Sequence, residues 1–176
     1  MAQPSDSASH APLPAGVRIA ALTSSYHGDL VGRMCDSALQ TLIAAGLRHE
    51  DWTRIEAPGA YELPILAAEL ARSGEVDAVL CFGLVLRGET DHDRYISGAV
   101  ATRLLDIGLE TGVPILFGVL TPNTLAQAEA RAKTRAEGGL DKGAEVANAA
   151  VGALHALVRC RAPFGSPAPE SRTPQA

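Results

Sequence analysis

Aromatic residues make up only 4% of this 176-residue chain, and it has only three cysteines and one tryptophan. Each shortage excludes something. The cysteines, Cys35, Cys81 and Cys160, are odd in number and lack metal-ligand spacing, which argues against a disulfide scaffold or a zinc module. They read as buried or incidental thiols. The net charge of −5 comes without any basic stretch, so there is no electrostatic footprint for nucleic acid or an anionic membrane. An anionic ligand must be small and held locally. No apolar run approaches the roughly 18 residues of a membrane span, and residues 1–15 have no basic segment followed by an apolar one. The expectation is a cytoplasmic enzyme or binding protein, with no metal.

What is present suits one core, because 47% apolar residues in a chain of this length fill a single domain. Both ends are rich in Pro, Ser and Ala and bury too little apolar surface to offset chain entropy. Residues 1–15 and 162–176 are expected to be tails, and residues 16–161 the folded domain.

Between the tails, short apolar runs alternate with helical patterns. Arg18–Thr23 precedes Asp29–Ala45, Asp51–Glu56 precedes Tyr61–Arg72, Ala78–Leu86 precedes Asp91–Glu110, and Ile115–Leu120 precedes Thr124–Ala136. A last helix is expected from about Ala144 to Val158. Repeated strand–helix units imply parallel strands with crossover helices on both faces, a doubly wound α/β sheet. Gly46, Gly74 and Gly112 each close a helical pattern, where a left-handed residue costs glycine least. Thr124 and Gln127 have capping-box spacing.

In open α/β sheets ligands bind beyond the carboxyl ends of the strands. The strand-to-helix junctions are Ser24–His27, Ala57–Glu62, Arg87–His92 and Phe117–Thr124, and the unusual residues collect there. Gly88 allows close backbone approach, and the amides of Glu89 and Thr90 open a helix, which favours phosphate provided that the Glu89 carboxylate turns away. His92, one turn on, carries an imidazole, a group whose ordinary pKa suits proton transfer near neutrality. Arg131 offers a guanidinium fork for phosphate, with Glu145 as a candidate partner to orient it. Glu62, in a first helical turn, can accept hydrogen bonds from a polyol or heterocycle, although a first-turn carboxylate also stabilises a helix by itself. Tyr26 and Phe117 place flat faces at two junctions, where they can sandwich a ring; Phe117 equally completes a strand core.

Three stretches in the right order carry a resemblance: Pro58-Gly59-Ala60-Tyr61-Glu62-Leu63-Pro64, Gly83-Leu84-Val85-Leu86-Arg87-Gly88-Glu89-Thr90-Asp91-His92, and Gly118-Val119-Leu120-Thr121-Pro122 followed by Arg131 and Lys142-Gly143. From about Gly16 to Arg161 the chain resembles the lumazine synthase family. The resemblance implies a flavodoxin-like fold and, without cofactor or metal, condensation of 5-amino-6-(D-ribitylamino)uracil with 3,4-dihydroxy-2-butanone 4-phosphate. It implies that Tyr26 stacks on the pyrimidine, that Ala60, Tyr61 and Glu62 hold the ribityl chain, and that Val85 and Leu86 line the ring site. Gly88, Glu89, Thr90 and Arg131 would bind phosphate, and His92 would shuttle protons. Phe117, Arg131 and Lys142 would reach the site from a neighbouring subunit, so a homo-oligomer is the implied partner.

The chain departs from the family pattern at three places. Asp93-Arg94 follows His92 where an aromatic is usual, His27 follows Tyr26 where a shorter polar residue is common, and the stretch from Arg131 to Lys142 is longer than in many relatives. Such lengthening is associated in the family with pentamers that do not close into shells, so a free pentamer is expected. The alternatives from other classes are a non-catalytic flavin- or lumazine-binding paralogue and a shell-forming scaffold.

Overall fold

The computed structural model describes residues 12–163. Strands β1 (Ile19–Ser24), β2 (Trp52–Ala57), β3 (Ala78–Leu84) and β4 (Ile115–Leu120) form a wholly parallel sheet in the order β2-β1-β3-β4. Helices α1 (Gly28–Ala44), α2 (Leu63–Arg72), α3 (His92–Thr111), α4 (Leu125–Ala132) and α5 (Lys142–Arg161) flank it. This is the doubly wound architecture the alternation implies.

The two central strands are buried along their whole length, as a sheet covered on both faces requires. Alternation splits their side chains between two cores. Ile19, Ala21, Leu80, Phe82 and Leu84 pack with Met34, Leu42, Ala147 and Val151 of α1 and α5. Leu22, Val79 and Cys81 pack with Leu63, Ala67, Val100 and Leu104 of α2 and α3. Edge strand β2 is covered less well. Arg54 lies across it, with Nε 3.4 Å from Thr23 Oγ1 and Nη1 3.2 Å from Asp36 Oδ1 on α1.

Gly46, Gly74 and Gly112 all have positive φ, between 70° and 99°, so each breaks its helix as expected. Several boundaries differ from the sequence pattern. β3 leaves the ladder at Leu84 rather than Leu86, keeping only the bonds from the Val85 amide to the Leu120 carbonyl and from the Arg87 amide to the Pro122 carbonyl. Ala60–Glu62 form a short 3-10 turn before α2 begins. α4 ends at Ala132, because Lys133 turns extended and the chain folds back on it. α5 starts at Lys142, since Asp141 caps it through the Ala144 amide. The Thr124 hydroxyl does accept the Gln127 amide, but the Gln127 side chain accepts the Asn123 amide instead of that of Thr124. A reciprocal capping box occurs at Thr134 and Glu137.

Residues at the start of the described chain lie against the body: the Leu13 amide donates to the Ala45 carbonyl at 2.7 Å, and the Pro12 carbonyl lies 2.9 Å from His155 Nε2. Residues 1–11 and 164–176 of the expected tails fall outside the described residues. Among the described residues, no helix is long and apolar enough to cross a membrane.

Candidate active site

The four strands end at Ser24, Ala57, Leu84 and Leu120, and their parallel register brings these ends to one edge of the sheet. The four junctions there are tied in two pairs. The Ser25 amide donates to the Ala57 carbonyl at 2.9 Å and the Ser25 hydroxyl to the Pro58 carbonyl at 2.5 Å, which ties the first junction to the second. The amides of Val85 and Arg87 tie the third to the fourth.

Tyr26 leaves 70% of its surface exposed, although burial of a tyrosine ring ordinarily stabilises. Its ring and the Glu62 carboxylate both face Gly59, where a Cβ would stand 3.0 Å from Glu62 Oε2 and 3.5 Å from the Tyr26 ring. His27, next to Tyr26, adopts φ 54° and ψ 41°. Histidine is among the residues that tolerate this left-handed region, so it fills a turn where a shorter polar residue is common.

Ala60 is buried and packs against the bare Cα of Gly83, where a Cβ would stand 3.4 Å from the Ala60 Cβ. Gly83 therefore lets the Ala60–Glu62 turn settle directly on the sheet. Tyr61 is exposed, while Val85 and Leu86 are half-buried. The Ser24 hydroxyl is buried at the end of β1 without a hydrogen-bond partner. Gly83 opens one of the resembling stretches and Ser24 the first junction, but their packing roles depend on which strand ends become neighbours.

Gly88, Glu89, Thr90 and His92 are all exposed, with His92 the first residue of α3. Helices α1, α2 and α3 start on this rim without a side-chain cap, whereas Thr124 and Asp141 cap α4 and α5. α3 begins at His92 with Asp91 as its N-cap, so Glu89 and Thr90 lie just ahead of the helix instead of opening it, and its first amides have no side-chain cap. Asp93 and Arg94 do not crowd His92 with apolar bulk: the Asp93 carbonyl accepts the Ser97 hydroxyl, and Arg94 lies 3.9 Å from Asp91.

Phe117 lies within β4 rather than beyond it, opposite Cys81, and remains 44% exposed. It does not complete the core. Arg131 folds back on its own helix, donating to the Gln127 carbonyl at 2.9 Å. Glu145 does not orient it; the Glu145 carboxylate instead takes the Lys142 ammonium at 2.5 Å, its neighbour three positions back on α5.

Comparison with known proteins decides the family. The family model described as 6,7-dimethyl-8-ribityllumazine synthase matches residues 16–157. The chain belongs to the 6,7-dimethyl-8-ribityllumazine synthase family. It is 39% identical over 136 residues to the 6,7-dimethyl-8-ribityllumazine synthase of Desulfotalea psychrophila, covering 77% of this chain and 86% of the relative. It is 37% identical over 145 residues to that of Deinococcus deserti, covering 82% and 91%. It is 40% identical over 148 residues to 6,7-dimethyl-8-ribityllumazine synthase 1 of Caulobacter vibrioides, covering 84% and 95%. The family match spans all four junctions, and with them the rim built from Tyr26, Glu62, Gly88 and His92.

Proposed function

We propose that this chain condenses 5-amino-6-(D-ribitylamino)uracil with 3,4-dihydroxy-2-butanone 4-phosphate to 6,7-dimethyl-8-ribityllumazine, phosphate and water, a transferase step of riboflavin biosynthesis. The observation that carries the reading is the joining, on one rim of a chain of this family, of an exposed aromatic face, a carboxylate beside it, an uncapped helix start and a histidine.

In this reading the Tyr26 ring stacks on the pyrimidine, with Val85 and Leu86 lining the ring site. Ala60, Tyr61 and Glu62 receive the ribityl chain. Gly88, Glu89 and Thr90 hold the phosphate by backbone amides and the Thr90 hydroxyl, with the Glu89 side chain turned away and Arg131 as the cation. His92, beside the phosphate turn, takes and returns protons as the amine adds to the ketone, as phosphate leaves and as the ring closes. Holding two substrates together supplies most of the acceleration, since well-oriented intramolecular reactions reach effective molarities of about 10⁵–10⁸ M. No cofactor enters the scheme. Cytoplasmic localisation remains the expectation.

The site is completed by a second copy of the chain. α3 buries Val100, Leu104 and Ile107 against its own core yet leaves Tyr95, Leu105 and Leu109 exposed, at 75%, 65% and 76%. A second copy seated on that side of α3 takes these side chains out of water. Phe117, Arg131 and Lys142 serve the neighbour's pocket, with Glu145 setting the Lys142 ammonium. The long connection before Lys142 favours a free homopentamer over a closed shell, and the use of both His92 and Arg131 favours a synthase over a flavin-binding paralogue, which has no phosphate to hold.

The deciding experiment mixes purified protein with both substrates and follows lumazine fluorescence against the uncatalysed reaction. Acceleration is expected. Tight riboflavin binding without acceleration would replace the synthase with the binding paralogue.

A further inference from the structure

The connection between α4 and α5 is tied more tightly than joining two helices requires. The Leu140 amide donates to the Ala130 carbonyl at 2.9 Å and the Asp141 amide to the Lys133 carbonyl at 3.0 Å, so the returning chain is pinned to α4 on either side of Arg131. Gly139 rests on Lys133, where any Cβ would run into the carbonyl. The segment is also fastened to α1, through Arg33 Nη2 on Glu137 Oε1 at 2.5 Å.

Asp141 closes this clip. It holds φ at 51°, a left-handed conformation uncommon outside glycine that aspartate tolerates better than most residues. Its buried carboxylate accepts the Ser37 hydroxyl of α1 at 2.5 Å, the Ala144 amide at 3.1 Å and, from its other oxygen, the Arg135 amide at 3.4 Å. A helix cap needs only one of these. The others join α1, the clip and α5 through a single side chain, and Lys142 is the next residue.

We propose that Asp141 is a positioning residue, which locks the clip so that Arg131 and Lys142 are presented to the substrates at a fixed separation. The inference rests on the assignment of those two side chains to substrate made above. Among the described residues, each cation bonds only within its own helix: Arg131 to the Gln127 carbonyl and Lys142 to the Glu145 carboxylate. Their relative placement therefore comes from the backbone between them. Misplacement by about 1 Å is enough to cost on the order of 10²-fold in rate.

Steady-state kinetics of the full chain test this with Asp141→Ala, Asp141→Asn and Ser37→Ala beside Arg131→Ala. Asp141→Ala is expected to raise KM for the butanone phosphate by roughly tenfold or more, and more than it lowers kcat. Asp141→Asn keeps an acceptor oxygen and tolerance for positive φ, so it should recover most of that loss, with Ser37→Ala in between. If Asp141→Ala fails to assemble, the other two variants decide, and wild-type KM in Ser37→Ala overturns the proposal. So does an equal fall in every parameter with no rescue by Asn, or unchanged kinetics in Asp141→Ala while Arg131→Ala loses the phosphate substrate. An unchanged KM in Arg131→Ala removes the substrate assignment itself, and the positioning role with it.

Discussion

The Tyr26 ring and the Glu62 carboxylate close on the same atom, the bare Cα of Gly59, at 3.5 Å and 3.0 Å from where a Cβ would sit. Gly59 has φ −154°, an extended conformation open to any residue, so backbone freedom does not call for glycine here. The space does. A methyl group at this position meets the mobile end of Glu62 and the edge of an exposed ring, both of which can move at little cost. Gly59→Ala is therefore expected to shift the thermal midpoint by no more than about 2–4 °C while raising KM for the ribityl-bearing substrate severalfold. A wild-type KM would separate Glu62 and Tyr26 from that substrate.

His92 and the groups assigned to substrate contact are different residues, so chemistry and binding should separate. His92 is exposed at the first position of α3 and belongs to neither buried core cluster. His92→Ala is expected to lower kcat by about 10²–10⁴-fold, the usual worth of general acid–base help, with titrated affinity for a ribityl-bearing ligand retained. Equal loss of both would make His92 structural.

These residues were legible in the sequence to different degrees, for physical reasons. Apolar runs and helix-closing glycines depend on local geometry, so the sheet, its parallel sense and the rim of strand ends followed from the pattern, and Tyr26, Glu62 and His92 fell on that rim. Asp141 does not show in the pattern, which starts the last helix near Ala144, three residues past the aspartate that caps it. Glu145 takes Lys142 rather than Arg131, because a carboxylate three positions from Lys142 on the same helix finds that cation first. Gly83 and Ser24 become neighbours only when β1 and β3 pair, which no local pattern records.

Glu137 gives the α4–α5 clip a dependence on acid. Its carboxylate accepts the Thr134 amide and hydroxyl, each at 2.9 Å, and the Arg33 guanidinium, and these bonds pull its pKa from 4.5 down to about 2. A carboxyl whose folded value lies below its unfolded one stabilises fully above the unfolded value, and that contribution is lost as pH falls through the folded value. The difference in urea midpoint between the wild-type chain and Glu137→Gln should therefore be greatest above pH 4.5 and shrink as pH falls towards about 2. A difference that stays constant across that range would mean that the charge of Glu137 contributes nothing.

Leu105 tests whether the site needs a second chain. It is exposed on α3 together with Tyr95 and Leu109, whereas Leu104, the adjacent residue, is buried in the core of the same chain. A charge at position 105 therefore leaves the fold of one chain nearly untouched, while in an assembly it must be desolvated at every copy of the interface. Burying a leucine contributes about 1.5–3 kcal/mol, a gain that Leu105→Glu forfeits before any cost of the new charge is counted. The expected outcome is a sedimentation coefficient that falls towards that of a single chain, an unchanged far-ultraviolet circular dichroism spectrum, and turnover that disappears with the assembly because Phe117, Arg131 and Lys142 no longer reach a neighbour. Full turnover by a demonstrably monomeric Leu105→Glu would show that one chain builds the whole site, and the roles given to those three residues across the interface would have to be withdrawn.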